Sequence, residues 1–124
     1  MSDHPVKVPG PDHPISIEKA ASSWRAVHAG QVIAESSDVL VMRETTYPPV
    51  AYFPRADVKM DMLQGTSHHT YCPYKGEANY FSIKAGSGDV ENAIWTYEEP
   101  YDAVESILGR LAFYATKIDS VEEI

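Results

Sequence analysis

Trp24-Arg25-Ala26-Val27-His28-Ala29-Gly30-Gln31-Val32-Ile33-Ala34-Glu35 is the stretch that decides the fold class. Two short runs rich in apolar and β-branched residues flank Ala29-Gly30-Gln31, a spacing that suits a tight hairpin in which Gly30 takes the positive φ. Outward from it, Val39-Leu40-Val41-Met42 is a continuous apolar run and predicts a strand covered on both faces. Val50-Ala51-Tyr52-Phe53 and Val58-Lys59-Met60-Asp61-Met62 are the next strand candidates, divided by a turn at Pro54. Asn79 to Ala85 and Val90 to Tyr97 flank Gly86-Ser87-Gly88-Asp89, a second hairpin signature. Alternation in the later of these strands puts Val90, Asn92, Ile94 and Thr96 on one face and Ala93, Trp95 and Tyr97 on the other. Leu111-Ala112-Phe113-Tyr114 is a final strand. Helical spacing occurs once: Tyr101, Val104, Ile107 and Leu108 fall at i, i+3, i+6 and i+7, opened by Pro100 and closed by Gly109. The predicted fold is therefore mostly β, with one short helix near 101–108.

A chain of 124 residues has surface enough to bury for one core, not two. Hydrophobic content of 44% and eight tyrosines exclude a wholly disordered chain. The first fourteen residues hold Pro5, Pro9, Pro11 and Pro14 and little apolar matter, and are read as an extended or mobile leader. The β domain is expected over 15–120, with a fraying acidic tail at 121–124. No apolar run approaches the roughly 20 residues of a transmembrane helix, and Met1-Ser2-Asp3-His4-Pro5 lacks the layout of a secretion signal. A cytoplasmic location is the expectation, and the single cysteine, Cys72, fits a reducing compartment.

The formal charge of −8 is unevenly spread. Residues 1–38 carry five acids against three bases, 39–88 four against five, and 89–124 nine against two, giving −2, +1 and −7. Binding to nucleic acid draws most of its affinity from counterion release along a basic stripe, and none exists here. The same argument weighs against anionic membrane surfaces. A small anionic or polar ligand over the near-neutral middle fits the pattern.

The segment from Tyr47 to Tyr80 concentrates the polar and aromatic groups. It holds Tyr47-Pro48-Pro49, Tyr52-Phe53-Pro54-Arg55-Ala56-Asp57-Val58 and His68-His69-Thr70-Tyr71-Cys72-Pro73-Tyr74-Lys75-Gly76-Glu77-Ala78-Asn79-Tyr80. Together with Asn92-Ala93-Ile94-Trp95-Thr96-Tyr97 and Ala112-Phe113-Tyr114, this order resembles the bacterial family catalogued as domain of unknown function 427. The resemblance covers roughly residues 15 to 120, and its most specific part is Cys72-Pro73-Tyr74-Lys75-Gly76. It implies a compact, barrel-like β fold similar to the tent-like domains around the Mss4 family, without an established chemistry. A nucleotidyltransferase label is sometimes attached to that family. Such enzymes carry a Gly-Ser followed about ten residues later by a magnesium-binding acidic pair, whereas here Gly86-Ser87 is almost adjacent to Asp89-Val90-Glu91. Neither a dinucleotide loop nor a Gly-x4-Gly-Lys loop is present. With one cysteine, the paired Cys-x-x-Cys zinc knuckles of Mss4-like relatives cannot be built.

Three chemistries compete for the central segment. Arg55 and Lys75 are expected to orient a small anionic or polar ligand, with His68, Thr70 and Tyr80 completing hydrogen bonds. Tyr52, Tyr74, Tyr80 and Trp95 would form flat walls with polar tips. Alternatively, Cys72 is a nucleophile with His68 as its base and Lys75 as electrostatic stabiliser in a group-transfer reaction. A third possibility is an interaction module that assembles through an exposed sheet edge. Against all three stands a purely structural reading, in which Arg55 pairs with Asp57 or Asp61, Lys75 pairs with Glu77, the aromatics are core, and Cys72 packs before the Pro73 turn. No metal is expected. His68 and His69 are adjacent and point to opposite faces of a strand, and the fourth ligand would have to come from Asp61 or Glu77. No cofactor is expected either, and the oligomeric state is left open.

Overall fold

The computed structural model describes residues 5–86 and 88–124. Among them lie ten strands: β1 (Ile15–Lys19), β2 (Trp24–His28), β3 (Gln31–Ser36), β4 (Leu40–Glu44), β5 (Val50–Tyr52), β6 (Leu63–Cys72), β7 (Gly76–Ile83), β8 (Val90–Tyr97), β9 (Leu111–Phe113) and β10 (Ser120–Glu123). They form three antiparallel sheets ordered β1-β4-β5, β10-β2-β3 and β6-β7-β8-β9. The β2–β3 turn is tighter than its spacing implied. His28 pairs with Gln31, and Ala29 and Gly30 both adopt positive φ, 51° and 73°, the geometry that matches the twist of a two-residue hairpin. Between the first and third sheets, Phe53 and Leu111 exchange both backbone hydrogen bonds at 2.8 and 2.9 Å. Those two sheets therefore meet edge to edge through β5 and β9.

Alternation along β4, β5, β7 and β9 divides the interior into two apolar clusters. Val41, Ala51, Phe53, Ile83, Leu111 and Phe113 join Ala26, Ile33 and Ala34 of the β2–β3 hairpin in the first. Met42, Tyr52, Ala78, Tyr80, Tyr97 and Ala112 form the second, closed by Val104 and Ile107. Strict alternation fails in β8. Asn92 has φ 50° and the β7–β8 register shifts beside it, so Ala93 and Ile94 both enter the first cluster while Trp95 and Tyr97 stay with the second. This is the geometry of a β-bulge.

The helix expected near 101–108 is present as a 3₁₀ helix, Asp102–Ile107. Its buried pair, Val104 and Ile107, is spaced i to i+3, the repeat of that tighter helix, and Leu108 is left exposed. A strand over Val58–Met62 does not form. Short 3₁₀ turns, Arg55–Asp57 and Met60–Met62, occupy the region, and only Val58 bridges to β3 through Ala34. Pro54, with φ −66°, has no N–H to give a ladder and opens the first of these turns. The tail is also ordered, contrary to the expectation of fraying. In β10, Glu122 lies opposite Arg25, Val121 packs on the first cluster, and Ser22 Oγ donates to Glu123 at 2.5 Å. Residues 1–4 of the leader and Ser87 of the second hairpin signature lie outside the described residues. From Pro5 on, the leader is tied down: Lys7 N donates to the Pro73 carbonyl at 2.9 Å and the Tyr71 hydroxyl to that of Pro5 at 2.6 Å.

Candidate functional site

The β6–β7 turn, which carries the Cys-Pro-Tyr-Lys-Gly block, is fixed from several sides. Lys75 N donates to the Cys72 carbonyl at 3.2 Å, and the Lys75 carbonyl accepts from Tyr101 N at 3.0 Å. Gly76 has φ 113°, and a Cβ there would lie 3.3 Å from the Glu99 carbonyl oxygen, so the turn requires glycine. The Lys75 side chain folds back to Glu44 at the end of β4, with Nζ 2.6 Å from Oε1. His13 Nε2 donates to the other carboxylate oxygen at 2.7 Å. The Lys75 and Glu44 side chains are only 14% and 12% exposed, so the pair is held largely out of water. Burial pushes the Glu44 carboxyl up, but hydrogen bonds from Lys75 and His13, with their charge, outweigh it and hold the group below its ordinary range. Tyr74 stacks on the His13 ring at 3.9 Å and 3° between planes, and Tyr47 meets the same ring edge-on at 6.5 Å.

These groups line a cleft of about 460 Å³ whose floor includes Met42, Val50 and Cys72. Tyr47, Pro48 and Val50 also line a second cleft of about 370 Å³, walled by Trp24, Trp95, Phe113 and Tyr114. Beneath its Trp95–Tyr114 side runs a line of hydroxyls. Thr70 Oγ1 and the Tyr80 hydroxyl are 2.9 Å apart, and the Tyr80 and Tyr114 hydroxyls 3.2 Å apart. Trp95 lies tilted on Tyr114 at 4.5 Å and donates through Nε1 to the Tyr52 hydroxyl at 3.3 Å. Burial raises the hydroxyl pKa of Tyr52 and Tyr97, and burial with the Tyr80 bond pushes that of Tyr114 up to about 12. All three are un-ionised at ordinary pH.

The expected site residues thus divide into three groups. Cys72, Tyr74 and Lys75 line the polar cleft. Tyr52, Thr70 and Tyr80 belong to the hydroxyl line, Trp95 bonds Tyr52 and walls the second cleft, and His68 lies edge-on to Tyr80 at 4.6 Å. Arg55 belongs to neither. Its Nε donates to the Gly109 carbonyl at 2.6 Å, Nη2 faces Thr96 Oγ1 at 3.4 Å and Glu98 at 3.5 Å, and the guanidinium lies 5.5 Å from the Phe81 ring. Both structural pairings anticipated from sequence are replaced: Arg55 engages Glu98 rather than Asp57 or Asp61, and Lys75 engages Glu44 rather than Glu77. Asp57 instead accepts from the buried Ser36 hydroxyl at 2.6 Å. His68 and Cys72 share β6 four residues apart, which places their Cα atoms roughly 13 Å from each other and outside proton-transfer reach. Among the described residues, no three His, Cys, Asp or Glu side chains converge as metal ligands.

Sequence reasoning passed over His13 and Glu44. The signal for His13 lay in Gly10-Pro11-Asp12-His13, a turn-forming run inside the leader that closes as a bridge between Gly10 and His13. Glu44 gave no local signal, because both of its partners are 31 residues away in the chain.

A family model for the domain of unknown function DUF427 matches residues 16–124, most of the chain. The chain belongs to the DUF427 family. Its Cys72–Gly76 block forms the turn of the polar cleft in this DUF427 domain, while His13 lies just outside the matched span. No curated protein matches the chain. Among the described residues of the domain, no helix is long and apolar enough to cross a membrane.

Proposed function

We propose that this domain binds a small polar or singly anionic molecule in the cleft floored by Cys72 and Lys75. The observation that carries this reading is the Lys75–Glu44–His13 cluster, buried at the wall of a cavity rather than spent on the surface. Glu44 takes one donor of the Lys75 ammonium and leaves others for a ligand oxygen. Glu44 offsets the positive charge of only one of its two partners, Lys75 and His13, so the cleft favours a carbonyl, amide or single carboxylate over a polyphosphate, which would also meet the repulsion of a chain at −8. Its volume lies within the roughly 300–1,000 Å³ of small-molecule pockets. Arg55 is assigned a structural role.

Amide chemical-shift mapping with acetate and acetamide at millimolar concentration tests the reading. The expected result is saturable shifts centred on Cys72 to Gly76 and Glu44, lost in Lys75→Met. Shifts scattered over the surface, or unchanged in that variant, overturn it.

One observation favours a second reading, group transfer through Cys72: the thiol lines the same cleft as Lys75. The base would then be His13, which shares that cleft, in place of His68. Alkylation of Cys72 across pH 5 to 10 tests this reading. Fast labelling in the folded protein with an apparent pKa well below the ~8.5 of a free thiol supports it, and labelling only on unfolding removes it.

A further inference from the structure

We propose that the ligand is a small amphiphile: a flat apolar body, one ring system in size, joined to a single hydrogen-bond-accepting head. This rests on the polar-cleft reading above and adds the neighbouring cleft to it. That second cleft is lined without any Asp, Glu, His, Lys or Arg, and its walls include Trp24, Trp95, Phe113 and Tyr114. A cavity of about 370 Å³ with aromatic walls takes a planar apolar group and excludes a charged one, whose hydration it could not replace. The two clefts adjoin along Tyr47, Pro48 and Val50, so a head held by Lys75 in one places its attached body at the mouth of the other. Pro48 and Pro49 restrict the shared rim to a narrow range of φ, which keeps the apolar cleft formed before a ligand arrives. The hydroxyl line is bonded internally: Tyr80 bonds both Thr70 and Tyr114, and Tyr52 accepts from Trp95. Tyr114 and Trp95 therefore ask no polar group of the body the apolar cleft receives, while Trp24 Nε1 is buried without a hydrogen-bond partner among the described residues.

Three probes separate head from body: 3-(indol-3-yl)propanoate, indole and propanoate, each titrated into the full chain with amide shifts as the readout. Two variants fill the apolar cleft from exposed turn positions, Thr116→Trp and Ala115→Phe, with thermal melts confirming the fold. Lys75→Met removes the head contact. The joined molecule should bind at least about tenfold more tightly than indole or propanoate. Filling the cleft should cost the joined molecule and indole about tenfold and leave propanoate unchanged. In Lys75→Met, the joined molecule and indole should bind equally. If propanoate binds through Lys75 while the joined molecule gains nothing over it, or the filled variants bind it normally, the amphiphile proposal falls and the polar-cleft reading survives. If the joined molecule binds independently of Lys75 but is lost on filling, the polar-cleft reading falls and the head assignment with it. Absence of saturable shifts with all three probes overturns both.

Discussion

Glu44 carries the charge balance of the polar cleft, and its titration has a definite sign. The carboxyl is depressed below its ordinary 4.5 in the folded protein, so the stability it contributes is complete above that value and is lost as pH falls through the lower folded pKa. Glu44→Gln should cost about 1.5–3 kcal/mol at neutral pH, the range for hydrogen bonds to charged groups. The gap between variant and parent should close as the pH is lowered below 4.5, measured by urea denaturation across pH 3 to 7. A gap that stays constant would mean that Glu44 is not the group holding Lys75 and His13. Arg55 makes the opposite kind of residue-scale prediction. Its guanidinium bonds the Gly109 carbonyl and stands over Phe81, so Arg55→Ala should lower stability by about 1–2 kcal/mol and leave acetate-induced shifts at Lys75 unaltered. Equal loss of the shifts would return Arg55 to the ligand site.

At the scale of elements, the β6–β7 turn is held by a glycine that no other residue can replace cheaply. Gly76→Ala should destabilise the domain by roughly 1–3 kcal/mol through the strained φ and the contact with the Glu99 carbonyl, as a drop in melting temperature would show. It should also weaken probe binding at Lys75, one residue away. An unchanged melting temperature would mean that the turn relaxes without cost. Most of these elements were legible in the sequence. The hairpin at Ala29-Gly30, the runs of β4 and β5, the pair β7 and β8, and β9 each announce themselves by local turn chemistry and apolar patterning. β6 was legible only around His68-His69, which read as strand, because its exposed Gln64 to Thr70 stretch shows no apolar alternation that would give its extent. The Val58–Met62 segment has a strand's composition but follows Pro54, and the missing ladder donor prevails. β10 was lost for a different reason. Its pairing with β2 joins residues 93 to 99 positions apart, and a short acidic run carries no trace of that partner.

On the scale of the whole molecule, the Phe53–Leu111 exchange joins the first and third sheets edge to edge. Those two amides should be among the slowest to exchange hydrogen, opening only with global unfolding, whereas amides of the exposed part of β6 should exchange by local fraying. Fast exchange at Phe53 would show that the sheets open independently. The same assembly explains why the candidate site was only half visible from sequence. Cys72, Tyr74 and Lys75 were found because they lie in one short block, but the cleft also draws on His13 and on Glu44, which only the tertiary fold brings together. The chain has two tryptophans, and both line the apolar cleft. Intrinsic emission from this protein is therefore an optical record of that one cavity. Surrounding tyrosines feed it by energy transfer, and no label is needed to watch the cavity fill, drain or unfold.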